Sequence, residues 1–194
     1  MYRKRRGEET RQMAKGLRKT VALVGMMGAG KTAVGKALAS QLEVPFLDSD
    51  AEIVKAADRS IAEIFEEHGE AFFRKRESEV IGRLLDSQRA ILSTGGGAYL
   101  SADNRAMISE RGVAVWLKAD LDLLWSRVRH KTTRPLLRTD TPYETLKALA
   151  LAREPFYAQA ELIVEAEPGL SIEAMAEKVV RALAKKGDIL EDDQ

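Results

Sequence analysis

The chain has 194 residues, of which 45% are hydrophobic, and a formal net charge of +1. This size and composition suit one compact domain with a sizeable core. They argue against a membrane partner, because no apolar stretch approaches the roughly 20 residues that a transmembrane helix needs. The chain has no cysteine, which excludes disulfides, thiolate nucleophiles and cysteine-bound metals, and its first residues are too charged for the apolar part of a signal peptide. We expect a cytoplasmic protein.

The charge is unevenly distributed along the chain. Residues 1–19 contain eight Lys and Arg residues against two Glu residues, whereas the remainder is mildly acidic. A mildly acidic domain is a poor candidate for nucleic-acid binding, so we expect no nucleic-acid partner. We also expect a monomer. We interpret residues 1–19 as a basic, disordered extension, residues 20–186 as a single folded domain, and residues 187–194 as a polar tail.

Apolar runs typical of β-strands alternate along the chain with longer segments of helical periodicity. The predicted strands are 20–24, 45–47, 90–93, 113–117 and 162–164. The predicted helices are 31–41, 53–57, 61–68, 71–86, 103–111, 121–128, 143–159 and 172–185. Two of the strands are apolar without alternation, which is typical of strands that are covered on both faces. The pattern therefore predicts an α/β fold with a parallel sheet flanked by helices. The basic segment 129–142 has no apolar period and is predicted to be a mobile loop.

The first predicted strand and helix enclose a phosphate-binding loop. Residues 25–32 read Gly-Met-Met-Gly-Ala-Gly-Lys-Thr and match the pattern G-x-x-x-x-G-K-[ST]. Glycines let the backbone curl so that several N–H groups face the phosphates, and the helix N-terminus adds partial positive charge. Lys31 would then reach the β- and γ-phosphates, and the hydroxyl of Thr32 would bind Mg²⁺. The sequence predicts a nucleoside triphosphate site.

An acidic pair follows the second predicted strand, at the sheet edge where ligands bind in parallel α/β folds. Of Asp48 and Asp50, one carboxylate could hold Mg²⁺ through water and the other could accept the proton of an attacking hydroxyl. Such residues also cap helices, and Asp50 precedes a helical segment that it could cap.

A triple glycine and three arginines complete the set of candidates. Residues 95–97, all glycine, follow the third strand and permit close approach of a ligand, or simply form a turn. Arg74 and Arg153 suit a carboxylate or phosphate oxygen pair, and Arg134 in the basic loop suits a lid that closes over a nucleotide. Each arginine alone would more often be a solvated surface charge.

In this order the motifs resemble the shikimate kinase family, from about residue 20 to residue 184. The phosphate loop is shared by a large superfamily, whereas the Asp-x-Asp pair, the triple glycine and the last arginine motif are more specific. The matching segments are 25–32, 48–50, 60–65, 69–74, 93–97, 134–137 and 153–157. One departure is Phe156, beside Arg153, where the family more often has leucine.

The resemblance implies a P-loop kinase fold and an activity. The fold would be a three-layer sandwich around a five-stranded parallel sheet of order 2-3-1-4-5, with a substrate-binding region at about 48–86 and a lid at about 128–142. The activity would be the MgATP-dependent phosphorylation of the 3-hydroxyl of shikimate, in the biosynthesis of aromatic amino acids. Its cofactors would be ATP and Mg²⁺, and shikimate would be its small-molecule partner.

The resemblance also implies a role for each matching residue. Asp50 would bind the shikimate hydroxyls and accept the proton, so that the catalytic residues would be Asp50, Lys31 and Arg134. The other substrate-binding residues would be Phe65, Phe73, Arg74, Gly95, Gly96, Gly97 and Arg153. The nucleotide would contact Gly28, Ala29, Gly30, Lys31, Thr32, Ala33, Arg127, Arg134 and Pro168. Mg²⁺ would be held by Thr32 and, through water, by Asp48.

Two rival functions stay open at this point. One is another small-metabolite kinase of the superfamily, such as a gluconate kinase, which the paired Arg74 and Arg153 disfavour. The other is a non-catalytic nucleotide-dependent protein that contacts RNA through its basic arm, which the complete set of phosphate, hydroxyl and carboxylate ligands disfavours.

Overall fold

The structure is a computed structural model that describes residues 16–131 and 135–191. Five strands lie at β1 (Thr20–Val24), β2 (Phe46–Asp48), β3 (Ile91–Ser93), β4 (Gly112–Lys118) and β5 (Leu162–Glu165). The α-helices are α1 (Lys31–Leu42), α2 (Ser49–Ala57), α3 (Ile61–Ser87), α4 (Ala102–Arg111), α5 (Leu121–Val128), α6 (Pro142–Tyr157) and α7 (Ile172–Lys186). Two short 3₁₀ helices lie at Ala98–Leu100 and Pro135–Leu137. Within these described stretches, no helix combines the length and apolar character that crossing a membrane requires.

The five strands form one parallel sheet of order β2-β3-β1-β4-β5. Every residue of the central strand β1 is buried, and so are the first six residues of β4. Strands buried at every position are covered on both faces, which is the three-layer arrangement. The predicted fold class and strand order are therefore confirmed.

Helix α3 is broken near its first third, where the sequence predicts two separate helices, 61–68 and 71–86. The helix begins with a capping box in which Ser60 and Glu63 bond reciprocally. At Gly69 the backbone takes φ 79° and ψ 174°, which is not helical. Glycine adopts this positive φ without the steric cost that a Cβ atom would bring. The kink separates the turn that carries Phe65 from the turn that carries Phe73 and Arg74.

The folded part extends beyond residues 20–186 at both ends. Leu17 pairs with Leu190 in an antiparallel bridge, and both side chains are buried together with Ile189. A surface ion pair joins Lys19 to Asp188 at 2.7 Å. The sequence predicts an extension and a polar tail here, because isolated apolar residues carry no periodic signal. Burial of Leu17 and Leu190 depends on their contact with each other, which links positions far apart in sequence.

Candidate active site

The candidate site lies where β1, β2 and β3 end, at the carboxyl edge of the sheet. Because the three strands are parallel neighbours, the segments that follow them meet at this edge. They enclose a cavity of about 450 Å³, which lies within the usual range for small-molecule sites. Its lining includes the phosphate loop from Gly28 to Ala33, both aspartates of the Asp-x-Asp pair, Gly95, Gly96 and Arg127.

The phosphate loop curls tightly before α1. Gly28 has φ 82°, and a Cβ atom built there would lie 2.7 Å from the Cγ1 atom of Val128, so no larger residue fits. Gly30 caps α1 without a side-chain hydrogen bond, which leaves the first backbone N–H groups of the helix for an anion. Lys31 Nζ donates to the carbonyl oxygens of Gly25 at 2.7 Å and Met26 at 3.0 Å. Its charge therefore lies within the loop itself.

Thr32 and Asp48 bring two oxygen atoms together beside this loop. Thr32 Oγ1 lies 3.4 Å from Asp48 Oδ2, and Asp48 Oδ1 accepts hydrogen bonds from the backbone of Asp50 and Ala51. Asp48, rather than Asp50, is thus the N-cap of α2, which begins at Ser49 instead of Ile53. Asp48 Oδ1 therefore caps α2, and Asp48 Oδ2 faces the hydroxyl of Thr32. In the described residues no group of three or more His, Cys, Asp or Glu side chains forms a complete metal cage.

The far end of the cavity is formed by α5 and by the segment between β5 and α7. Arg127 Nη1 donates to the carbonyl oxygens of Gly28 at 3.1 Å and Ala29 at 3.3 Å, which attaches α5 to the phosphate loop. Glu167 and Leu170 line the opposite wall. Pro168 is exposed and is not part of the lining, although its neighbours are.

Each glycine of the triple-glycine segment faces a different charged side chain. A Cβ atom at Gly95 would lie 2.7 Å from Asp50 Oδ1, and one at Gly96 would lie 3.4 Å from Arg153 Nη1. A Cβ atom at Gly97 would lie 2.7 Å from the Cζ atom of Arg74. The fold thus brings one carboxylate and two guanidinium groups, which are far apart in sequence, against three consecutive backbone positions. At Gly95 and Gly97 the close approach requires that no Cβ be present.

Two phenylalanines stand beside Arg74. The ring centroids of Phe65 and Phe73 are 4.6 Å apart, across the kink in α3. The Arg74 guanidinium lies 5.2 Å from the centroid of the Phe73 ring, within cation–π distance. Phe73 is buried and Phe65 is half-buried. The pair provides an apolar wall next to a cation.

Glu77 is a member of the site that the sequence analysis missed. Its side chain is only 1% exposed, and its Oε2 accepts a 2.7 Å hydrogen bond from Arg74 Nη1. Its Oε1 has no hydrogen-bond partner among the described residues and would lie 3.0 Å from a Cβ atom at Gly95. The sequence could have indicated Glu77 through its spacing from Arg74, because residues three apart lie on the same face of a helix.

Burial is the largest influence on the pKa of both Glu77 and Arg74. It raises the pKa of the Glu77 carboxyl, and nearby Asp50 and Glu70 raise it further, whereas Arg74 lowers it. Burial also lowers the pKa of the Arg74 guanidinium, but Glu77 and Glu70 outweigh this effect, so the pKa is raised overall. The pKa of both partners is therefore raised, that of Glu77 by burial and that of Arg74 by its acidic neighbours.

Tyr157 is the second residue that the sequence analysis missed. Its side chain is buried, and its hydroxyl donates to the carbonyl oxygen of Gly96 at 2.5 Å. Burial raises the pKa of this hydroxyl, and the charge of Arg153 opposes the shift. Tyr157 lies four residues after Arg153 on α6, so one helix turn supplies both the cation and the donor that face Gly96.

Comparison with known proteins identifies the family. The family model described as shikimate kinase matches residues 27–184. The chain is 61% identical over 193 residues to a shikimate kinase of Cereibacter sphaeroides, an alignment that covers 98% of this chain and 96% of the relative. It is 64% identical over 178 residues to a shikimate kinase of Ruegeria pomeroyi, covering 92% and 91%. The chain belongs to the shikimate kinase family.

A solved structure agrees with this assignment. The shikimate kinase of Acinetobacter baumannii in complex with shikimate superposes with a TM-score of 0.82 at 37% identity, covering 87% of this chain and 94% of that chain. The predicted resemblance is confirmed, and with it the predicted class of enzyme, a kinase that acts on an alcohol group.

The predicted site residues stand as follows in the described structure. Asp50, Arg74 and Arg153 meet at the triple glycine. Phe73 contacts Arg74, and Phe65 packs on Phe73. Lys31, Thr32 and Asp48 lie at the phosphate loop. Arg134, the predicted lid arginine, lies outside the described residues. Of the predicted lid, the segment Pro135–Leu137 forms a 3₁₀ helix rather than irregular chain.

Proposed function

We propose that the protein transfers the γ-phosphoryl group of ATP to the 3-hydroxyl of shikimate, giving shikimate 3-phosphate and ADP. One observation carries the proposal: a carboxylate and two guanidinium groups converge on Gly95, Gly96 and Gly97, beside the cavity into which the phosphate loop opens. Family membership supports the same reaction. The product belongs to the biosynthesis of aromatic amino acids.

The arrangement matches the chemistry of shikimate, a small cyclic acid that carries several hydroxyls. Arg74 and Arg153 would hold its carboxylate, because a guanidinium fork pairs with two carboxylate oxygens. Phe65 and Phe73 would contact the ring, and the backbone of the triple glycine would contact the hydroxyls. Gluconate also carries a carboxylate and hydroxyls, but it is an open chain that makes less use of an aromatic wall.

Asp50 is our proposed proton acceptor. It lies on the first turn of α2, beside Gly95 and close to the phosphate loop, so it can bind a hydroxyl and take its proton as the bond to phosphorus forms. Lys31 would neutralise charge on the transferring group, and the N-terminus of α1 would orient the phosphates. Positioning and charge neutralisation account for most of the rate of such reactions.

The residues at the phosphate loop fit MgATP. Mg²⁺ in kinases is held by one or two protein oxygens together with substrate phosphates and water. Thr32 Oγ1 and Asp48 Oδ2 form such a pair, 3.4 Å apart, and Asp48 would act through water. When bound, Mg²⁺ would offset the negative charge of the terminal phosphates. Ala29, Ala33 and the loop glycines would contact the phosphates.

Other nucleotide contacts follow from the family resemblance. Arg127 and Pro168 would lie near the adenine, and Arg134 would bring its charge to the phosphates from a lid at about residues 128–142. We also propose that the protein is cytoplasmic and monomeric. We expect its basic extension, residues 1–19, to bind no nucleic acid.

A coupled assay of ADP release tests the proposal. With MgATP, we expect turnover with shikimate and none above background with gluconate or without an acceptor. Comparable rates with gluconate would overturn the substrate assignment. Phosphorus NMR of the product, which should show a monoester on the 3-hydroxyl, tests the position of transfer.

A matched pair of variants tests the role of Asp50. Asp50→Ala should nearly abolish kcat while ATP binding, followed by calorimetry, survives. Asp103→Ala is the control, because Asp103 is also an acidic residue in the first turn of a helix but is exposed on α4, away from the cavity. If Asp50→Ala keeps near-normal kcat, Asp50 is not the base.

A further inference from the structure

A second cavity lies between α2 and the two halves of α3, on a side of these helices that the active site does not use. Its volume is about 510 Å³, which falls within the range of small-molecule sites. We call it the rear cleft, and define it by its apolar residues Ile53, Ile64 and Val80 and its arginines Arg59, Arg76 and Arg83. None of these six residues lines the cavity at the phosphate loop.

Helix geometry separates the rear cleft from the substrate site. Successive residues of an α-helix are about 100° apart around its axis, so Arg76 points about 200° away from Arg74. Phe72, Arg76, Val80 and Arg83 follow one stripe at helical spacing and line the rear cleft. A molecule in the cleft would therefore lie behind the helix that carries Arg74, and not on the shikimate side of it.

The floor of the cleft is apolar. Ile53 and Ile64 are each 2% exposed and Val80 is 8% exposed, so they close the base of the cleft, and its accessible apolar surface comes from Ala56, Ala57 and Phe72. Half-buried Phe72 stands at the side, with its ring centroid 4.5 Å from that of His68 and 5.0 Å from the Arg76 guanidinium. The aromatic ring of a ligand fits this floor and would also contact the side chain of Phe72.

The rim of the cleft carries three arginines, and each is paired with a glutamate. Arg76 pairs with Glu79 at 2.5 Å, Arg83 lies 3.7 Å from Glu52, and Arg59 pairs with Glu67. Apart from half-buried Glu52 the paired side chains are exposed, and exposed pairs of this kind contribute little stability. An incoming carboxylate can therefore compete for the guanidinium groups, provided that the rest of the ligand is held by the floor.

From this combination of an apolar floor and an arginine rim we infer that the rear cleft is a second binding site, which takes a small aromatic carboxylate. Neither part is sufficient alone, because a simple anion gains nothing from the floor and an apolar molecule gains nothing from the rim. The inference does not depend on the proposed function, since the site shares no lining residue with the active-site cavity.

The probe is 3-phenylpropionate, added to the full-length protein both with and without shikimate, so that binding at the rear cleft is measured whether or not the substrate site is filled. We expect saturable chemical-shift changes in the methyl resonances of Ile53, Ile64 and Val80, with a Kd of about 1 mM for a ligand of this size. The neutral 3-phenylpropionamide and inorganic phosphate should each bind at least about tenfold more weakly. Equal binding of either one, or no saturable change with the acid, would overturn the inference.

Two variants locate the site. The double variant Arg76→Gln, Arg83→Gln should weaken binding of 3-phenylpropionate about tenfold or more, whereas Arg181→Gln should not change it. Arg181 is the matched control because it is equally exposed, with an i,i+4 partner Glu177, on α7. Ala57→Phe, on the exposed wall of the cleft, should block binding with all arginines intact. Unchanged affinity in both altered proteins would show that the probe binds elsewhere and would refute the site.

Discussion

The hydroxyl of Tyr157 provides the sharpest test of how the substrate site is held together. Tyr157→Phe removes one oxygen atom and keeps the ring, whose centroid lies 6.0 Å from that of Trp116. The hydroxyl donates to the Gly96 carbonyl at 2.5 Å from a side chain that is 1% exposed. Loss of the donor leaves the carbonyl of half-buried Gly96 without its partner, which costs about 1 kcal/mol of unfolding free energy. For a protein of this size the Tm should fall by about 2–4 °C.

The same change should weaken substrate binding, because the Gly96 backbone faces Arg153 and would no longer be held by α6. Calorimetry gives the Tm, and the coupled ADP assay gives the KM for shikimate, which should rise several-fold while the KM for ATP stays constant. Tyr143→Phe is the control, since its exposed hydroxyl lies 3.4 Å from Asp122. If both variants have the same Tm and the same KM for shikimate, Tyr157 does not position Gly96 and the reasoning is wrong.

Three further variants test the charged groups around the triple glycine. Arg153→Ala should raise the KM for shikimate by about tenfold or more in the ADP assay with a smaller effect on kcat, because a carboxylate anchor binds ground and transition states alike; a pure kcat defect would contradict this role. Gly97→Ala fits the local backbone at φ −92°, but its Cβ atom would lie 2.7 Å from Arg74 Cζ. It should raise the same KM and also lower the Tm, because a displaced Arg74 no longer pairs with buried Glu77; an unchanged KM would argue against Arg74 as an anchor. Burial raises the pKa of Glu77 above its ordinary 4.5, so the folded state binds this proton more tightly than the unfolded state. This contribution to unfolding free energy is complete below about pH 4.5 and is lost as the pH rises through the raised pKa. Glu77→Gln should lack that loss in denaturant titrations at pH values from about 4.5 upward, and identical pH profiles for both proteins would contradict it.

The phosphate loop and the sheet were predictable because their signals are local. The glycine spacing of residues 25–32 specifies a backbone path over eight consecutive residues, and the apolar runs before and after it specify a strand and a helix. Continuous apolar strands predicted a parallel sheet, and the family motifs supplied its order 2-3-1-4-5, which the structure confirms. The helix break at Gly69 was also readable, since it separates two apolar periods.

Other features were not readable because their partners are distant in sequence. Leu17 and Leu190 each look like isolated apolar residues in polar segments, and only their pairing shows that residues 16–19 and 187–191 belong to the folded part. Asp48 and Asp50 could both be read as caps or ligands, and the hydrogen bonds to Asp48 decide that it caps α2. Glu77 and Tyr157 became part of the site only when their partners, Arg74 and Gly96, were placed beside them.

The sequence by itself thus determined the kind of ligand, the class of reaction and the sheet, because each is encoded in residues that are neighbours along the chain. Tertiary structure decided which charged group faces which glycine, and which carboxylate is buried. Those properties depend on α2, α3 and α6 crossing one sheet edge, where packing and loss of solvent, rather than spacing in the chain, set distances and pKa values.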